Sequence, residues 1–225
     1  MTDVLLIGAL RRELGWFAGR AGVESCACGT GARGVARAER ALDELHPSAV
    51  LHVGFAGGLR AGLAEGDLML VTEVFASGAA QPPLPCAFVP ALRERLARLR
   101  HRLGQGALVT VDHFVHSAAE KAALAERHHV PACDMEAAGI ASACAARGIP
   151  YAGVRAISDG ADRDLLPGLR AAGRLRPRPL ATALLKPTAP LKAARMLRGA
   201  RRAEQALALA GPGALDVVLA SAPLP

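Results

Sequence analysis

Aromatic side chains are scarce in this 225-residue chain: five Phe, one Trp and one Tyr, 3% of the total. A surface that binds nucleic acid by stacking on bases needs more of them. Lysine is nearly missing too, with Lys121, Lys186 and Lys192 the only three among 27 basic residues. So strong a bias to arginine is explained by base composition of a genome, and no function is read from it. The five cysteines, Cys26, Cys28, Cys86, Cys133 and Cys144, include no CxxC pair. Their odd number points to reduced thiols in the cytoplasm. Cys26 and Cys28 have no matching His/Cys pair downstream, so no metal site is expected. The apolar run after Asp3 is short and stops at Arg11, which does not fit a secretion signal. Nor is a membrane-spanning segment expected. Ala206 to Pro225 has one charge, Asp216, but Gly211, Pro212, Gly213 and Pro223 should break it.

What is present is ample apolar material, 52% of residues against 21% charged. That excludes a disordered chain and fits one domain. The net charge of +7 is unevenly placed. Gly168 to Ala203 holds ten basic residues and no acidic one, so the rest of the chain is net negative. Leu180, Leu184, Leu191, Met196 and Leu197 are interspersed with these charges, and Pro187 and Pro190 should divide the region into two short amphipathic pieces. The plain reading is surface helices with solvated arginine faces. Contact with an anionic membrane is a second reading, and nucleic-acid binding is the weakest.

Strand and helix patterns alternate. Strands are expected at Val4–Ile7, Val23–Cys28, Ala49–Phe55, Leu68–Phe75, Leu108–Val111 and Tyr151–Ile157. Helices are expected at Arg11–Gly19, Arg33–Leu45, Ala91–Leu103, Ser117–His128 and Met135–Arg147, with Ala76–Pro90 as loop. This predicts a single-domain, three-layer α/β/α fold with a central mixed sheet. Residues 1–165 form its core, and residues 166–225 a basic helical extension packed on the same domain.

In such sheets ligands sit beyond the carboxyl ends of the strands. Four strand ends carry chemistry-bearing residues: Gly8 to Glu13, Gly54-Phe55-Ala56-Gly57-Gly58, Asp134-Met135-Glu136-Ala137-Ala138, and Arg155-Ala156-Ile157-Ser158-Asp159. Singly, each has a plain reading as a tight turn, a dipole-favouring Glu or an N-cap. Together and in this order, over residues 3 to 162, they resemble the nucleoside phosphorylase/nucleosidase superfamily. Among its members, the methylthioadenosine/adenosylhomocysteine nucleosidases are the nearest in pattern. The resemblance implies a purine (adenine) nucleosidase without a cofactor, and it implies roles. Asp159 is the acid that protonates N7 of the leaving base, and Ser158 orients it. Glu136 holds the ribose hydroxyls and Met135 packs on the sugar. Phe114 stacks on the base and the backbone of Val115 reads it. Glu13 activates water, with Arg155 beside it. Phe55, Ala56 and Gly57 line the sugar site, and Arg12 is an anion contact. Loss of the base leaves oxocarbenium-like charge on the sugar and negative charge on the base, so carboxyl groups at both ends make chemical sense. Such an Asp159 would need its proton held by dry surroundings.

Phosphorylases of the superfamily hold phosphate with arginines and a serine. Here His52 falls at the second arginine and Phe55 at the serine, which favours hydrolysis, since a buried dianion needs paired donors. The basic C-terminal part, with Thr110-Val111-Asp112 and Ser117 to Leu124, resembles the hopanoid-associated branch. That branch implies adenine release from adenosylhopane, a lipid-linked nucleoside. The alternatives are a soluble methylthioadenosine/adenosylhomocysteine nucleosidase and a phosphate-using purine nucleoside phosphorylase. A nucleoside-binding protein on a degenerate scaffold is disfavoured because Glu13, Glu136 and Asp159 are all present. A cytoplasmic homodimer is expected, with residues 168–203 as the candidate for peripheral contact at the inner membrane face.

Overall fold

The computed structural model describes residues 2–166 and 188–223. Arg170, Arg174, Arg176, Arg178 and Lys186 of the basic segment, with Pro187, lie outside the described residues. The strands are β1 (Val4–Gly8), β2 (Val23–Ala27), β3 (Ala49–Gly58), β4 (Leu68–Ala76), β5 (Leu84–Pro85), β6 (Leu103–Thr110), β7 (Ala132–Asp134) and β8 (Tyr151–Asp159). The helices are α1 (Gly31–Leu45), α2 (Val89–Ala97), α3 (Ala118–His128), α4 (Ala137–Ala145) and α5 (Ala189–Ser221).

All eight strands belong to one mixed sheet. β1 pairs with β2 and β3 in parallel, and β8 runs parallel to β3 and antiparallel to β4. β4, β6 and β7 continue in parallel, and β7 returns antiparallel onto the far end of β3 through Gly57 and Gly58. The strands β3, β8, β4, β6 and β7 therefore close on themselves. Alternate residues face opposite layers, as the period of a strand requires. Leu6, Leu51, Val53 and Val154 pack under α2 and α5, while Leu5, Ile7, Val50 and Met69 pack under α1 and α4.

The α/β class and most elements match the expectations from sequence. Four details differ. Arg11–Leu14 is a single 3-10 turn instead of a helix to Gly19. β7 and β5 lie where no strand was expected, both being too short to show a period. α2 ends at Ala97, and Leu103 opens β6 instead. The last difference is the largest. Leu191 to Leu209 and the Gly-Pro-Gly that follows form one 33-residue helix instead of pieces broken at Pro212. The local rule fails because packing overrides it. A Cβ on Gly211 would lie 2.3 Å from the Trp16 ring, and one on Gly213 would lie 2.9 Å from Arg95 Nε. These glycines let the helix press onto the core, and Pro212 and Ala208 are exposed, so the carbonyl that loses its donor faces water. No helix among the described residues is long and apolar enough to cross a membrane.

Candidate active site

A cavity of about 410 Å³ opens beyond the carboxyl ends of β1, β3, β6, β7 and β8. It brings together all twelve residues singled out from sequence: Arg12, Glu13, Phe55, Ala56, Gly57, Phe114, Val115, Met135, Glu136, Arg155, Ser158 and Asp159.

Glu13 is delivered by the 3-10 turn after β1 and is 2% exposed. Its carboxylate accepts from the amides of Leu10 at 2.8 Å and Phe55 at 3.1 Å. Burial pushes the Glu13 carboxyl up, against the pull of these amides and of Arg155. Glu136 precedes α4 and accepts from the amide of Gly31 at 2.6 Å. Burial first, then the charge of Asp134, pushes it up to about 8.

Behind these two lies a buried polar layer. Arg155, on β8, donates to Asp134 Oδ2 at 3.0 Å and to the carbonyl of His52 at 2.7 Å. The Nδ1 of His52 accepts from Arg155 at 3.0 Å and pairs with the Tyr151 hydroxyl at 2.8 Å. Burial and then Arg155 hold His52 well below the usual imidazole range, so it is neutral. Asp134 also accepts from Thr110 Oγ1 at 2.7 Å and caps the first amide of α4. Every buried side-chain nitrogen or oxygen among the described residues has a partner.

Asp159 occupies the opposite wall. The ladder between β3 and β8 slips there: Ala56 pairs with Ile157 and Gly57 with Asp159, so Ser158 is a bulge. A bulge re-aims the side chain that follows it. Ser158 Oγ donates to Asp159 Oδ1 at 2.6 Å. The other oxygen, Oδ2, is bound by Lys121 Nζ from α3. The surroundings of Asp159 are therefore buried but not merely dry, since a cation is part of them. Phe114 and Val115 follow β6, in a loop tied down by His113, whose ring binds Asp112 and Glu120 at 2.6 Å each. Arg12 sits 5.0 Å over the Phe55 ring and 3.4 Å from Glu204 of α5. That places it at the rim, where its charge is already matched.

The sequence reading missed Asp134 and Lys121 as site residues. Asp134 opens the Asp-Met-Glu block and could have been taken with it. Lys121 had a signal as well: Leu124 and Ala125, at helical spacing from it, both face the core. Among the described residues no group of three His, Cys, Asp or Glu side chains could hold a metal.

An α/β fold with buried carboxyl groups on both walls of a cavity at its strand ends defines the class to which the site belongs. The family model of the phosphorylase superfamily matches residues 8–172, and this chain belongs to that superfamily. Among curated relatives, a 5′-methylthioadenosine/S-adenosylhomocysteine nucleosidase of Actinobacillus succinogenes is 36% identical over 138 residues, 54% of this chain and 60% of the relative. One from Exiguobacterium is 32% identical over 141 residues, 55% of this chain and again 60% of the relative. The chain thus spans about three-fifths of the length of the curated relatives it matches. The fold is shared by a mutant of the Helicobacter pylori nucleosidase MTAN with 5′-methylthioadenosine in its active site, at TM-score 0.74 and 17% identity, covering 96% of this chain and 99% of that one. The Helicobacter pylori futalosine hydrolase follows at TM-score 0.72 and 18% identity, covering 96% and 97%.

Proposed function

We propose that the protein hydrolyses the N-glycosidic bond of an adenine nucleoside. The observation that carries this is the division of labour in one cavity: Glu13 and Glu136 on one wall, Asp159 on the other. Glu13 is the general base for water and Glu136 holds the ribose hydroxyls beside the developing positive charge. Met135 packs on the sugar, Phe114 stacks on the base, and Asp159 delivers the proton to N7. Water is favoured over phosphate because the cations near the nucleophile side are committed: Arg155 to Asp134, Arg12 to Glu204. A phosphate dianion would have to break one of these pairs.

For the substrate, our finer reading is a nucleoside with a large apolar 5′ group, adenosylhopane in particular. What supports it is the wall that α5 contributes. Ala193, Met196, Leu197 and Ala200 line the cavity, and Leu197 is 51% exposed, so the apolar lining runs out to the surface. Lys192, Arg195, Arg198, Arg201 and Arg202 lie on the same helix, suited to an anionic membrane surface. Methylthioadenosine and adenosylhomocysteine are the alternative substrates, suggested by the named relatives. A homodimer in the cytoplasm belongs to the same proposal.

The test is base release from methylthioadenosine, adenosine, inosine and an adenosylhopane extract, each with and without phosphate, followed by chromatography. Phosphate-independent release of adenine is expected, fastest from the lipid. Strict dependence on phosphate, with ribose 1-phosphate as product, would overturn hydrolysis. A preference for methylthioadenosine would overturn the lipid reading alone.

A further inference from the structure

Lys121 is 0% exposed, and burying an ammonium ion is costly unless its charge and its donors are matched. Its three N–H donors are all used: one on Asp159 Oδ2, one on the carbonyl of Gly160 at 2.7 Å, and one on the carbonyl of Arg163 at 3.2 Å. A neutral amine has one donor fewer, so this geometry belongs to the ammonium form. Lys121 does not line the cavity; it reaches Asp159 from behind, out of α3. Asp159 also lines a second cavity with Glu65, Asp162, Arg163, Asp164, Lys192 and Arg195, where Lys192 pairs with Asp164 and the Arg195 charge is carried by α5. Ser158 is a neutral donor, and burial pushes the Cys133 thiol up to about 12. Arg163 pairs with Glu65 and Asp162 instead, and Glu120 is held by His113.

We propose that Lys121 is a positioning residue for Asp159, holding one carboxyl oxygen and setting a cation beside it at the moment of proton transfer. The inference rests on the reading of Asp159 as the acid for N7. A cation beside a carboxyl favours the ionised form. The same three contacts tie α3 to the 159–163 loop, so the orientation of the acid is set from outside its own strand.

The experiment is the pH profile of kcat for methylthioadenosine hydrolysis by the full chain. In Lys121→Met the basic limb should move up by about one to three pH units. In Lys121→Arg, which keeps a cation, it should stay at the wild-type position. A lysine that only supports the fold would lower Tm in both variants and leave the limb in place, and that result would overturn the proposal. Should Lys121→Met not fold, the wild type is read directly. With lysine labelled at Nζ and three lysines in the chain, the buried ammonium should give one slowly exchanging signal. That signal should shift on adding adenine and in Asp159→Asn. A signal indifferent to both would overturn the proposal. If wild type releases no base from any nucleoside, it is the functional reading that has failed, and the labelled signal still reports on the pair.

Discussion

The two walls of the cavity handle buried carboxyl groups in opposite ways. On one, Glu13 and Glu136 are satisfied by backbone amides, and the guanidinium of Arg155 is spent on Asp134. Desolvation then dominates and both carboxyls are pushed up. On the other, Asp159 has an ammonium of its own, inserted from another helix. Burial is common to all three carboxyl groups; what differs is the nearest donor, a backbone amide for Glu13 and Glu136 and an ammonium ion for Asp159.

Removing the acid should have the largest effect. Asp159→Asn should lower kcat by ~10²–10⁴-fold while nucleoside still binds. Retained turnover, measured as adenine release, would break the assignment of the two walls. Next comes the shared guanidinium. Arg155→Met leaves Asp134 buried and uncompensated, which should destabilise the fold by about 3–5 kcal/mol in urea unfolding. A loss below about 1 kcal/mol would mean that Arg155 matters to chemistry more than to structure.

Glu136 sharpens the contrast through pH. Its carboxyl is raised from 4.5 to about 8, so its share of stability is present below 4.5 and lost as pH climbs through about 8. Stability of the wild type relative to Glu136→Gln should therefore fall across that window. On the proposed reading the ionised form accepts the ribose hydroxyls, so kcat/KM should rise with pH toward about 8. Glu136→Gln should lose that limb, and a wild-type profile flat from pH 6 to 9 would refute it. The smallest effect belongs to the rim. Arg12 and Glu204 are 47% and 33% exposed, so Glu204→Gln should cost under about 1 kcal/mol. If that variant instead acquired strong phosphate dependence, Arg12 would be an anion contact held in check by Glu204.

The parts of the site that could be read from sequence are those whose spacing is local. Asp134 to Ala138 and Arg155 to Asp159 each place a carboxyl at a strand end by chain connectivity alone. The partner of Lys121 was not legible. The core-facing Leu124 and Ala125 hint that this lysine is buried, but Asp159 belongs to another element, 38 residues away. The bulge at Ser158 escaped too, since it is a property of the register between β3 and β8 and not of either strand. So did the unbroken α5, where contacts of Gly211 and Gly213 with Trp16 and Arg95 outweigh a proline's local preference.

By itself, then, the sequence determined the α/β alternation, the residues at the strand ends and the carboxyl groups available for chemistry, because these follow from period and connectivity. The tertiary structure decided which carboxyl has a cation, which arginine is spent and which helix walls the cavity. Those are matters of burial and pairing between distant segments, and an electrostatic partner that is distant in the chain becomes visible only once the sheet has closed.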